Sequence, residues 1–95
     1  MAEIPDNPPK IIRKRLGKQK ADGVSHYLIK DGLRIFDNVI YVDSRLTGFN
    51  EMLTHIHESH HIGLPSSVEE HVEKISTYVA KMLWSAGYRK VDLGP

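Results

Sequence analysis

The sequence predicts a single α+β domain in which a short antiparallel β-meander is followed by two packed helices. Three observations carry this. In the first half, short β-branched and aromatic runs alternate with turn signals at Gly17, Asp31-Gly32 and Asp37-Asn38. After Asp43 the apolar residues switch to helical spacing. A length of 95 residues suits one modest core, and no linker or internal repeat divides it.

Residues 1–9 carry Pro5, Pro8 and Pro9 and read as a flexible N-terminal arm ahead of a single domain over 10–95. KIIRKRL (10–16) suits a first strand, and GKQKADG (17–23) a turn with glycine at both ends. VSHYLIK (24–30) alternates like a strand, Asp31-Gly32 is a hairpin signal, and LRIF (33–36) pairs back. Asp37-Asn38 signals another turn before VIYVD (39–43). The first helix begins between Thr47 and Asn50, both suited to N-capping, and stops at Gly63 and Pro65. Its apolar face is Phe49, Met52, Leu53 and Ile56. The second helix opens at Ser66–Glu69 or Ser67–Glu70, both with capping-box spacing. Val68, Val72, Ile75, Val79, Met82, Leu83 and Ala86 form its stripe, and Gly87 closes it.

Composition removes several classes of function. Without cysteine there are no disulfides, thiolate ligands or cysteine nucleophiles, and a reducing cytoplasm is the expected location. No apolar run approaches the roughly 20 residues of a membrane-spanning helix. The opening MAEIPDNPPK lacks the apolar core of a secretory leader. A net charge of +1 selects no partner. Lys10, Arg13, Lys14, Arg15, Lys18 and Lys20 nevertheless cluster near the N-terminus. Such a block can contact nucleic-acid phosphates, although no aromatic residues interleave it, and it equally suits a solvated strand and turn.

The densest chemistry lies in THIHESHHIG (54–63), which contains four of the six histidines. His57, Glu58 and His61 fit His-Glu-x-x-His. One helical turn rises about 5.4 Å, so both imidazoles project from one side and can reach a single tetrahedral ion. Glu58, next to the first ligand, can take a proton from a water activated by the metal and pass it to a leaving group. At about 100° per residue, Phe49, Met52, Leu53, Ile56 and His60 share one sector, with His57 and His61 on its flank. His60 therefore reads as structural and His55 as exposed. A His55–His57 pair is a weaker alternative, because residues two apart on a helix diverge.

Without cysteine, a zinc ion must be held by imidazole and carboxylate. The IGLP turn is short, so the start of the second helix returns near the end of the first. Glu69, Glu70 and His71 are the candidates for a third ligand. Glu69 and His71 flank the apolar stripe at about 80° to either side, whereas Glu70 points nearly opposite it. Carboxylate completion is the commoner arrangement in this motif class, which selects Glu69. The same acidic residues also suit an ordinary first turn complementing the helix dipole.

Residues 40–90, about half of the chain, resemble a group of small phage and prophage proteins of the zincin-like (HExxH) metallopeptidase type. The shared features are a strand ending in Asp43, the helix from Leu53 to His61, Pro65, the Glu69 to Val72 helix start and the Leu83 to Tyr88 ending. The chain is more distantly similar to SprT-like and ImmA-like minimal zincin domains. The resemblance implies a zincin-like minimal core, His57 and His61 as zinc ligands, Glu58 as general base, and an acidic third ligand at Glu69 or Glu70. Ser59 and His60 depart from the usual H-E-A-L-H.

The expected function is thus a zinc-dependent metallohydrolase, a peptidase of phage or prophage type, acting on a peptide or protein substrate in the cytoplasm, of the host cell if phage-encoded. Charge on the tetrahedral oxygen needs a donor besides zinc, with His26, Tyr27, Tyr41 and Tyr88 as candidates. A strand edge over 24–30 can hold an extended peptide. Trp84 and Tyr88 suit packing at a helix end. The alternative is a metal-stabilised, non-catalytic module that binds a protein or nucleic acid, since so small a chain has little wall for a cleft.

Overall fold

Five strands precede two helices. They are β1 (Lys10–Lys14), β2 (Gly23–Val24), β3 (Tyr27–Lys30), β4 (Leu33–Phe36), β5 (Val39–Asp43), α1 (Gly48–Gly63) and α2 (Glu69–Ser85). The computed structural model describes residues 4–17 and 22–91. Residues 1–3 of the arm, and Lys18 and Lys20 with most of the expected 17–23 turn, lie outside the described residues. The α+β class holds, with short strands, antiparallel in two of their three pairings, ahead of two helices packed on each other.

The strand connections differ from a plain meander in two places. The expected 24–30 strand breaks at Ser25–His26 into β2 and β3. Ser25 turns its hydroxyl towards α1, and the His26 carbonyl accepts the Asp37 N–H at 3.1 Å. β3 and β4 form their own two-stranded ribbon, closed at Asp31 and Gly32, which have φ of 53° and 76°. Positive φ at both central residues is the turn that matches strand twist in a hairpin. β5 then leaves the ribbon for the centre of a second sheet of order β1-β5-β2. There β1 runs parallel to it, Lys10 opposite Val39 through Lys14 opposite Asp43, and β2 antiparallel. The central position explains its composition: Ile40 and Val42 are fully buried. Each stabilises the fold by about 1.5–3 kcal/mol. They pack with Ile62 of α1 and with Phe36 and Leu46.

α1 buries a different face from the one the apolar periodicity predicts, and α2 buries only part of its expected stripe. Thr47 is the N-cap of α1, and the helix ends at Gly63. Its buried line is Glu51, Thr54, Glu58 and Ile62, while Phe49, Met52, Leu53, Ile56 and His60 are half-buried. The cause is its position between the sheet and α2. The polar line presses on the strands, as the closeness of Thr54 and Glu58 to Gly23 shows. Met52 and Ile56 meet Leu83 and Trp84 of α2 around a cavity. In α2 the buried line is Val72, Ser76 and Ala80, spaced by four. Val68, Ile75 and Met82 of the expected stripe are exposed, because α2 rests on one neighbour through small side chains. Neither capping box forms. Val68 is the N-cap, one residue beyond Ser67, without a side-chain bond. At the other end Gly87 N–H donates to the Trp84 carbonyl and Tyr88 N–H to that of Leu83, both at 3.1 Å, a Schellman closure.

One charged cluster fixes α1 to the strands, and a second closes the end of β5. Glu51, 6% exposed, pairs with Arg13 of β1 and with Lys90 at 3.2 Å. Arg13 also donates to the carbonyls of Ser44 and Leu46. Asp43 accepts from the Arg45 main chain and guanidinium. Those bonds hold its carboxyl far below the ordinary carboxylate range. Among the described residues no helix is long and apolar enough to cross a membrane.

Candidate metal centre

The last two turns of α1 and the first residue of α2 meet because the connection between them is tight. Leu64 N–H donates to the His60 carbonyl at 2.8 Å, and Ser67 N–H to that of Leu64 at 3.0 Å. The chain reverses within five residues and sets Glu69 over the exposed side of α1. Glu69 Oε1 lies 2.8 Å from His57 Nε2, and Oε2 lies 3.0 Å from His61 Nε2. The two Nε2 atoms are 3.2 Å apart.

One donor atom from each of His57, His61 and Glu69 lies within 4.8 Å of the others. Zinc binds imidazole nitrogen and carboxylate oxygen at about 2.0–2.2 Å in tetrahedral geometry, which puts donors about 3.3 Å apart. The observed spacings need to open by only a few tenths of an ångström. Two nitrogens and one carboxylate form a borderline donor set of the kind zinc takes, so the residues fit the ion. Glu70 instead pairs with Lys74 at 3.1 Å, and His71 is exposed and outside the group.

Glu58 stands beside His57 and His61 on the buried face of α1, 7% exposed. The Ser25 hydroxyl donates to its Oε1 at 2.8 Å, which fixes the carboxylate from the β2 side. Close approach makes that bond feasible. A methyl group at Gly23 would lie 2.6 Å from Thr54 Cγ2 and 3.0 Å from Glu58 Cγ. Only a residue without a side chain lets β2 run this near to α1.

A cleft of about 340 Å³ opens over the group, and its far wall is the β3–β4 ribbon, with Tyr27, Arg34 and Phe36 lining it. The Phe36 ring stacks on His61 with centroids 6.0 Å apart and an interplanar angle of 18°. Tyr27 packs on Phe36 at 5.0 Å. The ribbon thereby packs against the His61 imidazole and shapes the cleft.

Of the four donors considered from sequence, Tyr27 lines this cleft. His26 and Tyr41 pack edge to face at 5.1 Å, and Tyr88 lines a separate cavity beside Trp84. Trp84 packs edge to face on Phe49 at 5.7 Å and carries the Arg89 guanidinium 3.4 Å from its centroid. His60 is half-buried and outside the ligand group; burial, then the neighbouring His61 and His57, holds its imidazole below the ordinary value. His55 is half-buried rather than exposed, because the Tyr88–Lys90 segment covers its side of α1. Burial, then Lys90 and Arg13, lowers its imidazole as well. In the basic block Arg13 is committed to Glu51, and Lys14 sits 4.6 Å from the Tyr41 centroid.

Sequence reasoning misses Ser25, Arg34 and Phe36. Ser25 and Glu58 are 33 residues apart, and no local pattern announces such a contact. Phe36 and Arg34 carried one usable signal, the Asp31-Gly32 hairpin, which places them beside Tyr27 but does not say what the ribbon covers. No protein-family model matches the chain, and neither a curated protein nor a solved structure matches it.

Proposed function

We propose that this chain is a zinc-dependent metallohydrolase that cleaves peptide bonds, of the zincin-like type found in phages and prophages and acting in a reducing cytoplasm. The observation that carries the proposal is the convergence of His57, His61 and Glu69 beside a buried, hydrogen-bonded Glu58. Structural zinc sites are closed by four protein ligands, whereas catalytic ones use three and keep a position open. Among the described residues three donors form the group, and the Glu69 side chain is 64% exposed on the cleft side.

Held by His57, His61 and Glu69, zinc would supply Lewis acidity that lowers the pKa of a nearby water and polarises the scissile carbonyl. The protein supplies the rest. Ser25 occupies Glu58 Oε1, leaving Oε2 to accept the proton of the attacking water and return it to the departing amine. Phe36 holds the His61 ring in place. Tyr27 lines the cleft wall, and its hydroxyl is the donor this reading assigns to the carbonyl oxygen as charge develops there. The outer edge of β2, unpaired among the described residues, offers main-chain groups to an extended peptide.

Elemental analysis and turnover of an unfolded protein substrate test this together. About one zinc per chain is expected. Glu58→Gln should keep the metal and lose hydrolysis. Zinc bound with no cleavage of any substrate would favour a metal-stapled binding module. The open apolar face of the ribbon, with Leu28 at 72% and Leu33 at 55% exposure, is what such a module would offer a protein partner. Nucleic-acid contact through the basic block is read separately, as salt-dependent retention.

A further inference from the structure

Arg34 projects from β4 into the wall of the metal cleft. The next hollow along, beside Ser66 and Ser67, is again lined by Arg34 and Glu69. Its guanidinium lies over the Tyr27 ring, 5.4 Å from the centroid, which braces it without using its hydrogen-bond donors. Arg13 and Arg45 each hold a carboxylate, and Arg89 holds two main-chain carbonyls. Arg34 has neither: among the described residues no carboxylate stands within 4.0 Å of it. The adjacent Glu69 carboxylate is taken up by the two imidazoles.

The other end of the cleft has the opposite polarity. A hollow that shares Gly23, His57, Glu58 and Glu69 with it is lined by Asp22 and Glu73. A peptide laid across the three ligands therefore meets a guanidinium on the β4 side and carboxylates on the β2–α2 side. A planar fork of N–H donors matches a carboxylate in two-point contact, and like charges repel one at the far end.

Resting on the metallohydrolase reading, we infer that the cleft selects peptides bearing a carboxylate on the β4 side of the scissile bond, with Arg34 as the residue that recognises it. An aspartate or glutamate side chain and a free C-terminus supply the same chemistry. Arg34 acts on substrate choice rather than on the metal.

The test uses the full chain loaded with zinc and short peptide hydroxamates extended from either side of the chelating group. Each carries Asp or Asn at the adjacent residue, with a free or an amidated C-terminus, and binding is read by calorimetry. In one of the two series the carboxylate form should bind at least about tenfold tighter than its amide twin, the worth of a charge-assisted hydrogen-bond pair. The Asp and free-terminus arms separate the two sources. Arg34→Gln should erase the preference while leaving zinc stoichiometry unchanged, and Arg34→Lys should retain part of it. Equal binding of acid and amide, a preference that survives Arg34→Gln, or no hydroxamate binding by the zinc-loaded chain overturns the inference. A prior zinc titration keeps the two failures apart. A chain that takes up no zinc sinks the metallohydrolase reading and the inference with it; zinc uptake without carboxylate preference sinks the inference alone.

Discussion

Gly23→Ala is the most direct probe of how the strands hold the site. The added carbon would sit 2.6 Å from Thr54 Cγ2, 3.0 Å from Glu58 Cγ and 3.2 Å from the Tyr41 carbonyl oxygen. Carbon contacts in packed interiors lie at about 3.5–4.0 Å, so the first is short by roughly 1 Å. Neither neighbour yields easily. Tyr41 O belongs to the backbone of central β5, and Thr54 is pinned by its hydroxyl donating to the Asn50 carbonyl at 2.8 Å. β2 and α1 must separate. Overpacking of this kind costs about 1–3 kcal/mol, and the stiffer unfolded chain of Ala returns about 0.4–1 kcal/mol. A net loss of about 1–2 kcal/mol is expected, read as a shift in urea midpoint with chelator present. Thr54→Ser removes Cγ2 and keeps the hydroxyl, so the alanine penalty should shrink by about 1 kcal/mol in that background. On the proposed metallohydrolase reading, because Glu58 is the second group struck, the zinc-loaded Gly23→Ala variant should lose turnover while its zinc affinity holds. Stability within about 0.5 kcal/mol of wild type, or the same penalty with and without the Thr54 methyl, would refute the close approach.

Three further outcomes follow from the geometry. Glu69→Gln should weaken zinc binding in calorimetry by more than about 100-fold, beyond what losing an outer-sphere group costs, while Glu70→Gln leaves it unchanged. Asp43→Asn removes a carboxylate held far below its ordinary value by hydrogen bonds from Arg45. That stabilisation is complete above the unfolded carboxylate value of about 4 and fades as pH falls below it, so the gap in urea midpoint between wild type and variant should be constant near neutrality and narrow in acid. In the chelated protein Glu51→Gln should lower stability, since it strips a buried acid from Arg13 and Lys90, whereas Glu58→Gln should be neutral or stabilising; the reverse order in urea titrations would contradict the assigned roles.

The legible parts were those written in local pattern. Asp31-Gly32 marks the hairpin because positive φ at two successive residues admits few side chains, and β4 and β5 fall on the expected residues for the same local reason. His57 and His61 are legible as a pair because helical spacing alone places them on one side. Burial was less legible, because periodicity locates apolar residues and not the neighbours that cover them. α1 turns a polar line to the sheet, and α2 rests on Val72, Ser76 and Ala80 while Ile75 and Met82 stay open. The parallel pairing of β1 with β5 is a contact 29 residues away in sequence at Lys10 and Val39, which short-range turn signals cannot specify. The wall of the cleft was illegible for the same reason, since Arg34 and Phe36 reach the ligands only through the placement of the ribbon.

The polar line of α1 is the feature that most needs a reason. Six apolar side chains are buried among the described residues, and a chain with so small a core gains by burying more. Yet three of the four buried positions on α1 are Glu51, Thr54 and Glu58. Thr54 satisfies itself within the helix, and its methyl faces Gly23. Glu51 is answered by two cations from distant segments, Arg13 of β1 and Lys90 beyond α2, and so ties three parts of the chain together. Among the described residues Glu58 has no cation; a single neutral hydroxyl meets it. Burying a carboxylate on such terms costs stability, and a glutamine or methionine in its place would cost less. The proposed general base needs such terms: a lone serine leaves one carboxylate oxygen open beside His57 and His61, where an arginine would hold both. The two glutamates on one helix face thus carry opposite signatures, one bound into the fold by two cations and one met by a single hydroxyl, as the proposed reading requires.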